Sequence, residues 1–136
     1  MITKDQLLSE LLDTYVQLRP SAVAGIGVFA IRDIPQGCRS MFSVDSGEWI
    51  KVFKSDIAKL PNAIQLVVQQ YCTFDREYFY IEKTGFKKMD LCCFVNHSDV
   101  PNIAPVEDGK YFEASRDILM GEELFIDYAL VADESV

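Results

Sequence analysis

Two short polar turns near the end of the chain constrain its fold more than any other feature of the sequence. The first runs from Phe94 through Asn96-His97-Ser98 to Pro101-Asn102, and the second runs from Gly121 through two glutamates to Tyr128. The first turn crowds several hydrogen-bond donors and acceptors together, next to apolar residues that require burial. The segment 111–118 between the two turns has the residue types of a strand.

These two motifs resemble the signature motifs of the SET-domain protein-lysine methyltransferases, an Asn-His-Ser-Cys-x-Pro-Asn block followed by a Gly-Glu-Glu-Leu-x-x-Asp-Tyr block. The segment 25–37 is similar to the opening of that domain. The three pieces occur in the order of the family, and the resemblance extends over residues 16–128. It implies a mostly β fold with inserted helices (α+β), in which several small β-sheets adopt a SET-domain-like arrangement after an N-terminal helix.

The length and composition indicate one folded domain. A chain of 136 residues is large enough to bury a single core, and its 49% hydrophobic content excludes a disordered chain. We expect a single SET-like domain over residues 1–136, with an N-terminal helix in 1–18, a core in 19–128 and a short acidic tail in 129–136.

No segment has the sequence of a membrane span or of a secretory signal, because no apolar run approaches about 20 residues. We therefore expect a soluble intracellular protein, cytoplasmic or nuclear, with no membrane contact. The four cysteines show no paired spacing, and we expect them to be reduced and mostly buried.

The net charge of −8 bears on the class of partner. Nucleic-acid binding needs a basic face, so the charge argues against direct nucleic-acid binding. An acidic surface attracts a basic protein or peptide, but acidity also serves solubility, and charge alone does not choose between these explanations.

The segment Lys4–Leu18 has the apolar spacing of an amphipathic helix packed on a core. Thr3 is the expected N-cap, and Pro20 lies where a helix cannot continue. Residues 16–19 fit either the end of this helix or an edge strand, and the sequence leaves that choice open.

The spacing Gly25-x-Gly27-x-x-Ala30 also matches the dinucleotide-binding fingerprint. That fingerprint must open a helix, whereas the residues after these glycines are β-branched and end at a Pro-x-Gly turn at Pro35. We therefore predict a strand here and reject dinucleotide binding. Under the resemblance, small residues at this place let the main chain approach a cofactor closely.

The middle of the chain predicts two strands, 39–44 and 47–53, around a turn at 45–47. Ser55 is then expected to be a polar N-cap. A helix is predicted to begin at Pro61-Asn62 and to run to Gln70. We interpret this helix as a packing element rather than as part of a substrate groove.

The resemblance implies that the cofactor is S-adenosyl-L-methionine and that the methyl acceptor is a lysine ε-amine. A free lysine has a pKa of about 10.4, so an enzyme must receive the amine deprotonated and desolvated. Once amine and methyl group are aligned, positioning supplies most of the rate.

Tyr128 is the first candidate catalytic residue, because by resemblance its hydroxyl lies near the sulfonium methyl and it also borders the cofactor. The resemblance implies that the cofactor is held by Asn96, His97 and the segment Gly25-Ile26-Gly27. Asn96 also fits a buried structural amide. Asp127 is expected to orient backbone or shape the peptide site. His97 is the only histidine and has no evident metal-binding partners, so no metal site is predicted.

The predicted strand 77–82 places Tyr78 and Tyr80 on one face. The resemblance implies that a tyrosine of this strand lines the lysine channel. Tyr78 is the preferred channel residue and is also a catalytic candidate after Tyr128. Tyr80 is the next choice for the channel. The alternative is that both rings simply pack against the sheet. Phe125 and Ile126 complete the expected channel, and the aliphatic Ile126 favours room for more than one methyl group.

The sequence departs from the family pattern at two positions, with Asp99 in place of a cysteine and Cys93 in place of an arginine. With no cysteine-rich segment beside the motifs in this sequence, the resemblance implies a minimal stand-alone SET protein of bacterial or viral type. A homodimer would then be one way to close the site. Two functions stay open: lysine methylation of a basic or histone-like protein, and a catalytically weak module that binds a protein or cofactor.

Overall fold

The described part of the chain folds into three small β-sheets and three short α-helices. The computed structural model describes residues 2–42, 49–107 and 109–130. The elements, in chain order, are α1 (Lys4–Leu11), β1 (Val16–Pro20), β2 (Ile26–Ala30), β3 (Trp49–Phe53), α2 (Lys54–Ile57), α3 (Asn62–Tyr71), β4 (Thr73–Phe74), β5 (Tyr78–Glu82), a 3₁₀ turn (Leu91–Phe94), β6 (Asn96–His97), β7 (Ile103–Val106), β8 (Tyr111–Ala114), β9 (Glu123–Ile126) and a second 3₁₀ turn (Tyr128–Leu130). The expected mostly β fold with inserted helices is confirmed.

The sheets join segments that are far apart in sequence. The four-stranded sheet has the order β1-β2-β9-β6, the three-stranded sheet has the order β3-β5-β4, and β7 and β8 form a hairpin. All pairs are antiparallel except β6 and β9, which run parallel. The strand β9 therefore lies between the segment after the glycines and the segment that contains Asn96.

Two clusters of apolar side chains hold these sheets together. In the larger cluster Ile34, Ile103, Ile118 and Leu124 are completely buried, and Ile34 and Ile118 pair as an isolated bridge. The smaller cluster consists of Ile57, Val68, Cys72 and Phe79. Burial of each large aliphatic side chain contributes roughly 1.5–3 kcal/mol, so the larger cluster is the main source of stability.

The predicted packing of the N-terminal helix is wrong. α1 ends at Leu11, and none of its residues is buried. The three leucines of its apolar face and the leucine that caps its C-terminus are between 46% and 80% exposed: Leu7, Leu8, Leu11 and Leu12. The expected Thr3 cap is confirmed, because Thr3 and Gln6 form a reciprocal capping box. The segment from Val16 is the strand β1, so the undecided junction is a strand.

Other element boundaries also differ from the expectation. Residues 39–42 are not a strand. The chain turns just before them, at Gly37, where the Gly37 N–H and the Cys38 carbonyl bond to Ala114 at the end of β8. The whole of the expected turn at 45–47 and the adjoining ends of both strands lie outside the described residues, and β3 begins at Trp49. Ser55 lies inside α2, which has no side-chain cap. The strand expected over 111–118 ends at Ala114.

None of the four cysteines, all of which lie in the described ranges, forms a disulfide; only Cys72 is buried, and Cys38, Cys92 and Cys93 are half-buried. None of the helices in the described ranges is long and apolar enough to cross a membrane.

Burial of Cys72 predicts a loss of stability at alkaline pH. Burial raises the pKa of its thiol from an ordinary value near 9.0 to about 11. The folded pKa lies above the unfolded pKa, so this contribution is complete below pH 9 and is lost as pH rises towards 11. The slope is at most about 1.4 kcal/mol for each pH unit. Unfolding midpoints measured from pH 8 to 10.5 should therefore fall more steeply for wild type than for Cys72→Ala. Parallel curves would contradict this account.

Candidate active site

The parallel pairing of β6 and β9 brings the two C-terminal motifs together. Asn96 lies opposite Phe125 and His97 lies opposite Ile126 in the register. Backbone bonds extend the contact, since the Ser98 N–H donates to the Ile126 carbonyl at 2.9 Å. The polar turn and the strand that leads to Tyr128 are therefore one structural unit.

Asn96 connects this unit to the glycine segment. Its side-chain amide nitrogen donates to the carbonyls of Ala24 and Ile26 at 3.1 and 3.3 Å. The same nitrogen donates to a carboxylate oxygen of Glu123 at 2.9 Å. Gly25 has φ +49°, the left-handed conformation that glycine adopts without strain. The structure thus places the predicted cofactor residues Gly25, Ile26, Gly27 and Asn96 side by side.

His97 joins the turn to the end of β9. Its Nδ1 accepts a hydrogen bond from the backbone N–H of Tyr128 at 3.0 Å, and its Nε2 lies 3.0 Å from an Asp99 carboxylate oxygen. Because Nδ1 accepts, Nε2 carries the proton and donates to Asp99. The His97 and Tyr128 rings also contact each other, with centroids 5.2 Å apart. Asp127 accepts from the Ala129 N–H at 3.0 Å, which matches its expected backbone-orienting role.

The hydroxyl of Tyr128 is held by backbone rather than by another side chain. It donates at 2.9 Å to the carbonyl of Val95, the residue directly before Asn96. Burial raises the pKa of this phenol, so it stays neutral throughout the physiological range. The residue as a whole is 46% exposed, so its side chain is not enclosed by the protein. A phenol oxygen that already donates its proton can still accept a hydrogen bond.

A cleft of about 1280 Å³ opens beside Tyr128. Tyr80, Ile126 and Tyr128 all line it, together with the end of α3 and part of the β7–β8 hairpin. The helix expected only to pack therefore also contributes to the cleft. The cleft carries charges of both signs, for example Lys88 and Glu82.

The two tyrosines of β5 have different surroundings. Tyr80 lines the cleft, and its hydroxyl donates to the Asp75 carboxylate, a bond that lowers the pKa of Asp75 and raises that of Tyr80. Tyr78 is not among the residues of the cleft. Its ring packs on Phe53, with centroids 4.8 Å apart, beneath the Lys51 ammonium. The structure brings Tyr80 together with Tyr128, and it does not do so for Tyr78.

Phe125 and Ile126 also face different surroundings. Ile126 is buried at the border between the main core and the cleft. Phe125 does not line the cleft, and its backbone N–H donates to the side chain of Asn102 at 2.8 Å. Only one of the two expected channel residues on β9 therefore contributes to the cleft wall.

Two residues that organise the site were not among the predicted site residues. Asn102 is 2% exposed, and its side chain bonds both the Glu123 carbonyl and the Phe125 N–H at 2.8 Å. Glu123 holds Asn96 with its carboxylate. Both lie inside the two motifs. An Asn next to a buried strand needs partners, which is a signal for Asn102. For Glu123, alternation with the buried Leu124 predicts only that its side chain lies on the other face of the strand.

Within the described ranges, no group of three or more His, Cys, Asp or Glu side chains could hold a metal ion. The ring of His97 is instead bonded to Asp99 and to the backbone of Tyr128.

Comparisons with known proteins give the family from one match and the fold from another. The family model of the SET domain matches residues 25–129, most of the chain. A search of curated protein sequences gave no significant match. Among solved structures, the chain is similar to a Plasmodium falciparum protein described as a "putative histone methyltransferase", with 17% identity and a TM-score of 0.54. The alignment covers 85% of this chain and 93% of the other, and at this identity the likeness concerns the fold alone.

Proposed function

Because this chain belongs to the SET-domain family, whose members transfer methyl groups to lysine, we propose that it is a protein-lysine N-methyltransferase that uses S-adenosyl-L-methionine. The proposed substrate is a lysine in a basic or histone-like protein. Three features support the proposal: the family match, the assembled motifs and the cleft next to Tyr128.

The observation that carries the proposal is the position of Tyr128. Its hydroxyl is fixed on the Val95 carbonyl, its backbone is fixed on His97, and its ring borders the cleft. Asn96, which reaches the glycine segment, follows Val95 directly. One phenol therefore connects the proposed cofactor side of the molecule to the proposed substrate side.

The chemistry asks three things of these residues. The lysine amine must be deprotonated, must be desolvated and must point at the methyl carbon. Aromatic and aliphatic walls from Tyr80, Ile126 and Tyr128 disfavour the charged ammonium by desolvation. The Tyr128 oxygen is then a hydrogen-bond acceptor that orients an amine N–H. The Tyr128 hydroxyl is bonded to a backbone carbonyl rather than to an acidic or basic side chain, so we expect the amine proton to pass to water before the transfer.

The glycine segment and the polar turn fit the methyl donor by their chemistry. No hydrogen bond to the Asn96 side-chain oxygen occurs among the described residues, so it can accept from an ammonium or amino group. A Cβ on Gly25 would meet no atom within 4 Å, so there is open space beside the main chain. Gly25, Ile26, Gly27, Asn96, His97 and Tyr128 would hold the donor. When bound, it supplies an electrophilic methyl group on a sulfonium.

The acidity of the chain supports a basic substrate. A net charge of −8 attracts a lysine-rich segment over distances comparable to the Debye length. The cleft itself has both signs of charge, so this attraction acts on encounter rather than at the reacting lysine.

Ile126 predicts transfer of more than one methyl group. Its aliphatic side chain borders the cleft and has no hydroxyl to hold a water molecule near the amine. Mass spectrometry of a methylated peptide should therefore show dimethyl or trimethyl product, and Ile126→Tyr should shift the product towards monomethyl. Only monomethyl product from wild type would contradict this expectation.

The proposal is tested by calorimetric titration with S-adenosyl-L-methionine, followed by radiolabelled methyl transfer to mixed histones. Binding followed by label on lysine supports the enzyme. Cofactor binding without transfer to any lysine-rich protein would favour the alternative, a module that binds a protein or cofactor.

A further inference from the structure

The carboxylate of Glu123 connects its own strand, β9, to the loop between β1 and β2 and to the polar turn. The Ser21 hydroxyl donates to its two oxygens at 2.8 and 3.0 Å, and Ser21 lies in the loop between β1 and β2. The Asn96 amide donates to it at 2.9 Å from the polar turn. No salt bridge to Glu123 is found in the part of the chain that the structure describes. Its bonds are therefore directed hydrogen bonds to neutral groups, which depend strongly on geometry.

Gly27 provides the space for this carboxylate. A Cβ on Gly27 would lie 2.3 Å from a Glu123 oxygen, 2.8 Å from its carboxyl carbon and 3.1 Å from the Asn96 amide nitrogen. Gly27 does not have a positive φ, so backbone conformation does not explain the glycine. The space that a side chain at position 27 would occupy is instead filled by the side chain of Glu123.

These contacts determine the orientation of the Asn96 amide. Its nitrogen is surrounded by three acceptors, which are the Ala24 and Ile26 carbonyls and Glu123. An amide oxygen in that place would meet a carboxylate and two carbonyls, which is repulsive. The oxygen therefore points away from Glu123, where it is available to a ligand.

We propose that Glu123 is a positioning residue, which fixes the Asn96 amide with its oxygen outward as the acceptor for an amino group of the methyl donor. This inference rests on the proposed function. Glu123 does not touch the reacting atoms and acts through Asn96 and Gly27.

Glu123→Gln tests the role with little change in shape. A glutamine can donate as well as accept, so the variant weakens one of the three acceptors that hold the Asn96 nitrogen and makes the flipped amide more accessible. We expect the Kd for S-adenosyl-L-methionine in calorimetry to rise at least about 10-fold, with kcat at saturating donor within about threefold of wild type. Glu10→Gln in α1 is the matched control, because it makes the same charge change at an exposed position far from the site in sequence. It should leave the Kd unchanged.

A double-mutant cycle tests the contact without any ligand. Gly27→Ala should lower the unfolding midpoint by roughly 4 °C or more in wild type. In a Glu123→Ala background the new methyl group enters vacated space, so the same change should lower the midpoint by less than half as much.

The outcomes separate this inference from the proposed function. A wild-type protein that does not bind the donor overturns the proposed function and the positioning role with it. Donor binding by wild type with an unchanged Kd in Glu123→Gln overturns the positioning role alone. Additive effects of Gly27→Ala and Glu123→Ala overturn the packing on which the role depends.

Discussion

Replacing Tyr128 by phenylalanine is expected to lower the rate of methyl transfer by about 100-fold or more, while the Kd for S-adenosyl-L-methionine changes less than threefold. The change removes one oxygen, which is anchored on the Val95 carbonyl in a side chain that lines the cleft. A positioned hydrogen-bonding group at a reacting centre typically contributes about 10²–10³ in rate. The ring stays in place, so the shape of the site is retained.

Tyr111→Phe is the matched control for this experiment. Tyr111 also lines the cleft, and its hydroxyl makes no hydrogen bond in the described residues. It should retain transfer within about threefold of wild type, measured as radiolabel on a lysine-rich substrate at saturating donor. Equal losses in both variants would show that the cleft tolerates no change, and full activity of Tyr128→Phe would exclude the proposed role of the phenol.

Replacing Asn102 by alanine is expected to destabilise the fold by about 3–5 kcal/mol. Its buried side chain bonds the Glu123 carbonyl and the Phe125 N–H, so the change leaves two backbone groups of β9 without partners. Each buried unsatisfied group costs about 1–3 kcal/mol, and the lost side-chain packing adds to this. Urea unfolding followed by circular dichroism measures the effect directly.

Asn62→Ala is the control for this loss. Asn62 lies at the exposed start of α3, and its replacement should change the free energy of unfolding by less than about 0.5 kcal/mol. An effect below about 1 kcal/mol for Asn102→Ala would show that water or a rearrangement satisfies β9 after the change. The backbone bonds of Asn102 to Ser115 and Phe125 remain in the variant, so the measurement isolates the side chain.

The local parts of this fold could be predicted from the sequence, because they depend on neighbouring residues. The capping box at Thr3, the strand after the glycines and the strand before Tyr128 all follow from residue type and spacing. The apolar face of α1 was also evident. Periodicity identifies which face of a helix is apolar, but it does not determine whether another element covers that face.

The site could be predicted only in part, since its geometry depends on long-range pairing. The motifs identify Asn96, His97 and Tyr128 as candidate site residues. The contact between these residues arises from the parallel pairing of β6 and β9, which the sequence does not reveal. Alternation placed Tyr78 and Tyr80 on one face of β5 but could not show that only Tyr80 reaches the cleft, which depends on neighbouring segments. Glu123 was missed because its partners are 102 and 27 residues away in sequence.

The central claim is that Asn96, the glycine segment and Tyr128 form one site for a sulfonium methyl donor. A crystal structure of the protein grown with S-adenosyl-L-methionine tests it most directly. We expect the donor to lie along Gly25–Gly27 with an amino group on the Asn96 side-chain oxygen and its methyl group facing the Tyr128 hydroxyl and the cleft. A donor bound elsewhere, or a Tyr128 hydroxyl turned away from the methyl group, would contradict the account.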